Sequence, residues 1–551
     1  MTTTIPADFY ARHEETLRRA LQAIREREYW SAFPEAPSPK VYGETAVEDG
    51  RAAFEAHVGS DFPLTVPGSA GWVSTERSPY GIAVDVRYPH VSDLDALLAA
   101  AQAGMPAWRD AGPDARAGIC IEILQRINQR SFELASAVMH TTGQAFLMAF
   151  QAAGPHAQDR ALEAIAYAYA EMTRHAAQAR WTKPQGKREP LAMDKRFTVV
   201  PRGVSLVIGC NTFPTWNSYP GLFASLVTGN AVVVKPHPRA VLPLAITVAV
   251  VAEVLTEAGF DPNLVVLAAE ADGEGIASTL ATRPEVRIID FTGSSEYGEW
   301  LEGHAPQAQV YTEKAGVNSV VIDSWDDLKA MCGNIAFSLA LYSGQMCTTP
   351  QNLLVRRDKA DGVAQGLASA LNGLLGDDAR AVEILGAVVN DGVLERLGEA
   401  PKTGVVLVAS REVRHPTFAE ATVRTPVIVR LDAADAAVYS AEHFGPIAFL
   451  ISTDSTEASM EIWRRTATEH GALTASVYST DSAVLDQAER VAWDVGVALS
   501  CNLTGGVFVN QSAAFSDFHA TGANPAANST LTDAAYVAGR FRVVQSRRPA
   551  A

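Results

Sequence analysis

Cysteine is scarce in this chain: five in 551 residues, at 120, 210, 332, 347 and 501. No two form a C-x-x-C pair, and their odd number and wide scatter argue against a disulfide framework or a zinc site. The twelve histidines form no H-x-x-E-H or H-E-x-x-H set, so no metal is expected. Positive charge is also short. Lys and Arg number 45 against 62 Asp and Glu, and the net charge of -17 argues against nucleic acid or an anionic membrane as partner. No apolar run reaches the roughly 18 residues needed to span a bilayer. Leu242 to Leu255 comes nearest, but it contains Glu253 and reads as a buried helix. The start M-T-T-T-I-P-A-D-F-Y has no basic stretch followed by an apolar one, so no signal peptide is expected. These absences lead to the expectation of a reduced, cytoplasmic enzyme. What is plentiful is core: 48% of the residues are hydrophobic, enough for two or three cores in a chain this long.

Residues 1–78 combine an amphipathic start with the Pro-rich aromatic stretch W-S-A-F-P-E-A-P-S-P-K and are expected to be an extension packed on the body. From Val91 to Ala170 apolar residues recur at helical spacing, as at Leu94, Leu97 and Leu98 and at Ile119, Ile123 and Ile127. Arg188 to Val200 turns alternating, as in an arm. Then come short apolar runs at Gly203–Ile208, Ala231–Val234, Val265–Leu267 and Val286–Phe291, with a helix over Leu242 to Ala258 that stops at Gly259. Strand and helix in alternation predict an α/β fold on a doubly wound parallel sheet. A second alternating set begins at Val320 to Ile322.

Two segments carry chemistry. Y-S-G-Q-M-C-T-T places Cys347 just past a Gly-Gln turn that ends an apolar helical run. A thiolate there gains from nearby backbone donors. Thirty-four residues before it, T-E-K-A-G-V-N holds Glu313, a candidate base. A Cys nucleophile and a carboxylate base far apart in sequence suggest covalent thioester chemistry. Alone, Cys347 reads as a small buried hydrophobe. G-S-S-E-Y-G follows a strand and would open a helix, a place where free backbone N–H groups meet phosphates. That spacing by itself is weak.

Five ordered motifs, from about residue 80 onward, resemble the aldehyde dehydrogenase superfamily: V-T-G-N-A-V-V-V-K-P, F-T-G-S-S-E-Y-G, T-E-K-A-G, G-Q-M-C and E-H-F-G-P-I. The resemblance implies a Rossmann-type cofactor domain, an α/β catalytic domain and a small oligomerisation arm. The expected bounds are 1–78 for the extension, 79–315 for the nucleotide-binding domain with its arm at about 184–198, 316–515 for the catalytic domain and 516–551 for the returning tail. It implies that Cys347 attacks an aldehyde, that Glu313 activates water against the resulting thioester, and that Lys235, Gly293, Ser294, Gly298, Glu442 and Phe444 hold the cofactor. Arg188–Phe197 and Gly539–Val544 would pair between subunits of a homodimer or homotetramer.

The departures are informative. Relatives that prefer NAD commonly carry Glu three residues after the lysine; here Pro238 stands there, flanked by His237 and Arg239, so NADP is expected, with NAD as the alternative. The oxyanion Asn position falls on Thr212, with Asn211 one residue early and Asn217 of T-W-N five residues late; Asn211 is preferred. A lysine of many relatives is replaced by Gly221, and the first Gly after the Glu-Lys pair by Ala315, which leaves Gly316. Cys210, near the oxyanion segment, reads as structural, and Cys120, Cys332 and Cys501 as core residues. The stretch Ala514 to Asp533 differs from the usual Phe-Gly-Gly version. With C-N-T-F-P-T-W-N and the extension, it resembles the PaaN-type enzymes of phenylacetate breakdown, which implies a CoA-linked semialdehyde substrate. Physically, H-A-T-G-A-N-P is only a turn. The competing readings are a CoA-acylating dehydrogenase and a catalytically weak protein that binds nucleotide or CoA esters.

Overall fold

The computed structural model describes residues 5–506 and 517–550, so the expected domain boundary at 515/516 lies outside the described residues. Val204–Ile208 (β1), Ala231–Lys235 (β2), Val265–Leu267 (β3), Val286–Thr292 (β4) and Gln309–Glu313 (β5) form a parallel sheet in the order β3-β2-β1-β4-β5. Every residue of β1, β2 and β3 is buried, so their continuous apolar runs fit a parallel sheet covered on both faces. The chain moves outward from β1 to β3 and returns to place β4 on the other side of β1. That reversal puts a crevice at the carboxyl ends of β1 and β4, where such sheets bind ligands.

A second sheet holds Ser319–Ile322 (β6), Asn352–Arg356 (β7), Val405–Val408 (β8), Val427–Asp432 (β9), Ile447–Thr453 (β10), Thr474–Tyr478 (β11) and Ala498–Cys501 (β12), ordered β8-β9-β10-β7-β6-β11-β12. Strand β8 runs antiparallel to β9, and the other pairings are parallel. Cys501 lies on the edge strand β12 and is partly exposed, unlike the buried Cys120 and Cys332, so it is not the core residue expected.

The arm is longer than expected: Gln178–Gln185, Arg188–Pro201 and Phe541–Pro549 form an antiparallel sheet. The tail was expected to cross to another subunit, but it pairs within the chain, from Phe541 opposite Pro201 to Pro549 opposite Met193. The reason is an anchor at its root. Arg540 is fully buried and grips Asp290 with two bonds, Nη2 to Oδ1 at 2.6 Å and Nη1 to Oδ2 at 2.7 Å. The same anchor accounts for Gly221: a Cβ there would lie 2.5 Å from the Asp290 carboxyl carbon.

The N-terminal helix Ile5–Glu26 packs on helix Gly112–Gln129. At Gly118 a Cβ would fall 2.5 Å from the Tyr10 backbone, so glycine permits the close approach. The following turn is pinned by Asp159, which accepts from Ser31 Oγ and from the Ala32 N–H, with Phe33 buried beside it. This leaves Tyr29 and Glu35 in the wall of a cavity that reaches Cys347.

Candidate active site

Cys347 is positioned by a backbone that would not adopt its shape unaided. Helix Leu328–Ala340 ends in a tight turn in which Tyr342, Ser343 and Gly344 have φ of 53°, 50° and 64°, all left-handed. Such a conformation costs of order 1 kcal/mol at a non-glycine residue and persists only where the surroundings impose it. Here they do. The Tyr342 hydroxyl donates to the Thr142 carbonyl, Ser343 Oγ donates to Gly386 O at 2.8 Å, and Gln345 bridges Ala387 O (3.1 Å) and Val389 N (2.8 Å). At Gly344 a Cβ would sit 2.5 Å from Gly445 O, so the cysteine turn rests directly on the E-H-F-G-P loop. On the other side, Asn318 Nδ2 donates to Cys347 O (2.8 Å) and Thr349 O (3.1 Å), while its Oδ1 accepts from the N–H groups of Leu473 and Thr474. Asn318 lay within the quoted T-E-K-A-G-V-N, yet its bracing role joins segments 29 to 156 positions away.

Glu313, the last residue of β5, is 2% exposed. Its carboxylate, the Cys347 thiol and His519 Nε2 lie within 4.8 Å of one another. His519 Nε2 is 3.6 Å from Cys347 Sγ and 3.1 Å from Glu313 Oε1. Burial would raise Glu313; the His519 ring, Cys347 and Asn217 outweigh it and hold the carboxyl below its usual range. Burial and the Glu313 charge together push the Cys347 thiol well above the range of a free cysteine. Resting Cys347 is therefore a thiol beside an ionised carboxylate.

The loop carrying His519 is locked in place: Asn524 Oδ1 accepts from Ala472 N and Ala526 N, and Lys314 N donates to Ala526 O at 2.6 Å. Reading this segment as a plain turn missed His519. The available signal was a histidine in the stretch that departs from Phe-Gly-Gly.

A cavity of about 670 Å³ opens onto Cys347. Leu147, Met148, Phe213, Trp216, Phe337 and Leu341 supply much of its wall, with Asn217 among the lining residues. The expected oxyanion donor Asn211 is not among them, nor is Thr212, whose carbonyl accepts from Gln144 Nε2 at 2.7 Å. Asn217 instead enters from the first turn of helix Pro214–Val227, which follows the loop through Cys210. It stands beside Glu313, whose carboxyl it helps to hold down, and its Oδ1 accepts from Cys210 Sγ at 3.5 Å. An amide donor beside Cys347 in this cavity suits a charge that appears only during reaction.

Of the residues expected around a dinucleotide, Lys235, Gly293 and Ser294 stand at the carboxyl edge of the first sheet, and Glu442 and Phe444 on the loop before β10 of the second. Lys235 ends β2, and the Gly293 turn leads from β4 into helix Ser295–His304, with Ser294 as its N-cap. Gly293 N donates to the Glu313 backbone carbonyl at 3.0 Å, which ties that turn to the end of β5. This donor set fits a dinucleotide: a glycine turn, a helix start and a lysine share the edge where the strand order reverses. Gly298 is an exception. It lies inside the helix, where a Cβ would meet the Lys314 stem at 2.6 Å, so it serves packing. Packing pushes Glu442 up to about 7, partly offset by Arg396 and the Gly316 N–H. The Phe444 carbonyl accepts from Arg396 Nε at 3.0 Å. No helix among the described residues is long and apolar enough to cross a membrane.

The sequence pattern of the aldehyde dehydrogenase family matches residues 77–523. A solved structure of an NAD-dependent aldehyde dehydrogenase from Burkholderia multivorans is 60% identical, with a TM-score of 0.97 over 98% of this chain and 99% of that one. The 1-pyrroline-5-carboxylate dehydrogenase 1 of Halalkalibacterium halodurans is 26% identical, covering 84% of this chain and 89% of the relative. The NAD(+) benzaldehyde dehydrogenase of Pseudomonas putida is 27% identical, covering 72% and 78% respectively. With the cysteine, the buried carboxylate and the dinucleotide edge brought together in this fold, the chain belongs to the aldehyde dehydrogenase family.

Proposed function

We propose that this enzyme oxidises an aldehyde with an apolar body to the free carboxylic acid, with Cys347 as nucleophile and Glu313 as the base for hydrolysis. The observation that carries this reading is Cys347 in the wall of a cavity with a large apolar share, with buried Glu313 beside it. Sγ attacks the carbonyl carbon, the thiol proton passes to Glu313, and Asn217 Nδ2 faces the oxygen that becomes negative. Bound nicotinamide dinucleotide would accept the hydride from that carbon and leave a thioester on Cys347. Glu313 gives the thiol proton up to solvent and then removes a proton from water, which attacks the thioester and releases the acid and the thiol. A base beside the thioester favours water over CoA as acyl acceptor. Arg540 and Asn217 answer the two departures that had suggested a weak enzyme. Asn217→Ala is expected to lower kcat by about 10²–10³ with little change in KM, the range for one oxyanion donor, measured by steady-state kinetics.

NADP was expected because Pro238 removes a carboxylate. The local charges favour NAD instead. Lys235 is paired with Glu270, a buried residue just beyond β3, and Arg239 with Asp272 at 3.1 Å. His237 is pushed down to about 4 by burial and by Lys235 and Arg239, so it is neutral near pH 7. A 2'-phosphate would meet Glu270 where no free cation waits. Glu270→Gln should raise the NADP-to-NAD ratio of kcat/KM roughly tenfold, the effect of an interaction of about 1.4 kcal/mol.

The resemblance of the C-terminal stretch to PaaN-type enzymes favours a CoA-linked semialdehyde as a second reading. In that case the acyl chain would occupy the cavity and the CoA phosphates would stay outside it. Among the described lining residues, Glu35, Glu383 and Asp517 are acidic and none is Lys or Arg. Trp181, Leu191, Val543 and Val544 are exposed on the arm, which supports a homodimer or homotetramer assembled there. The deciding assay supplies NAD or NADP, a panel of free and CoA-linked aldehydes, and free CoA or none, and identifies products by mass. A free acid formed with NAD without added CoA supports the proposal. Reduction that requires CoA replaces it with acyl transfer, and no reduction with any aldehyde overturns it.

A further inference from the structure

His519 places one ring nitrogen within reach of both charged partners of the reaction. Its Nε2 is 3.1 Å from Glu313 Oε1 and 3.6 Å from Cys347 Sγ. The ring is 5% exposed and stands edge-on to Trp216, with centroids 4.4 Å apart. Through Asn524 the loop is fixed to the chain at Ala472, so the ring is held where both atoms are reachable. Facing a carboxylate at that distance, Nε2 carries the hydrogen and donates it.

The proton inventory then defines a role. At rest the sulfur holds its proton, Glu313 is charged, and the Nε2–H serves Oε1. When the Sγ proton moves to Glu313, the negative charge moves the other way, onto sulfur. The Nε2–H stays on the imidazole and needs only a small turn to donate to Sγ. Without it, a buried thiolate would form with less compensation for its lost hydration. Building on the reading of Cys347 and Glu313 given above, we propose that His519 is a catalytic hydrogen-bond donor that stabilises the Cys347 thiolate as the thiol proton passes to Glu313. No electron or proton leaves the imidazole in this step. The donor changes the acceptor it serves.

Alkylation by iodoacetamide tests this without cofactor or aldehyde, so its failure is distinct from failure of the dehydrogenase reading. The full-length protein is alkylated across pH 6 to 10, and modification of Cys347 is followed by peptide mass. His519→Phe keeps a ring against Trp216 and removes the donor; His519→Gln restores an N–H of similar reach. We expect His519→Phe to alkylate at least about tenfold more slowly near pH 7.5, with its profile moved about one pH unit upward. His519→Gln should recover most of the rate. Superimposed profiles for wild type and His519→Phe overturn the proposal. Equal loss in the Phe and Gln variants also overturns it, because shape rather than donation would then be the cause. If His519→Phe does not fold, His519→Asn, too short to reach sulfur, replaces it with the same expectation and the same overturning result.

Discussion

Cys347→Ala is expected to abolish aldehyde oxidation, with a loss in kcat of at least about 10⁴, while binding of the dinucleotide stays within about twofold of wild type. The loss follows from the chemistry. The thioester has no other sulfur to form on: Cys210 donates toward Asn217, and Cys120, Cys332 and Cys501 lie elsewhere in the fold. Nucleotide binding survives because Lys235 and the Gly293 turn belong to the other sheet, and alanine leaves the Asn318 and Gln345 braces in place. Intrinsic fluorescence titration with NAD, beside a turnover assay, checks both halves. Retained turnover removes Cys347 as nucleophile. Lost binding shows that the cysteine turn also shapes the nucleotide edge.

Glu313→Gln separates the two halves of the reaction. A Gln amide cannot take a proton from water, so the thioester accumulates and steady-state turnover falls by about 10²–10⁴. Hydride transfer precedes that block, so rapid mixing should show a burst of reduced cofactor approaching one equivalent per site, formed more slowly than in wild type because the Cys347 proton must then pass to solvent. The same substitution removes the charge that pushes Cys347 upward, so iodoacetamide should modify Cys347 at lower pH than in wild type. The sign follows directly: Glu313 raises the thiol pKa, and removing that charge lets the thiolate form earlier. Unchanged turnover with no burst excludes Glu313 as the base.

How far the site was legible depended on the range of the contacts. Cys347 and Glu313 stood in short segments whose wording and order resembled a family. Strands β1 to β4 and β6 fall where apolar runs predict, within a residue or two at their ends, but β5, which ends in Glu313, was not among those runs, and Cys347 sits on a turn. Asn211 was preferred over Asn217 by counting along the chain, which cannot show which amide the folded loop turns toward the cavity, where Asn217 is the one in the wall. Gly298 was read as a cofactor contact from the spacing of two glycines, which does not reveal that a Cβ there would meet the Lys314 side chain. Residues 1–78 were read only as an extension, and nothing in that stretch indicated that Tyr29 and Glu35 would stand in the cavity wall.

Sequence alone determined what depends on neighbours along the chain: buried strands from unbroken apolar runs, helices from three-and-four spacing, and the glycines that permit left-handed turns. Tertiary structure decided what depends on partners far away. It brought His519 to Glu313 across 206 positions and Arg540 to Asp290 across 250, and it paired Lys235 with Glu270 at a shared sheet edge. The physical reason is burial. A charged or polar group removed from water is retained only with a partner, and the partner is set by which segments the packed core brings together, not by their spacing in the chain.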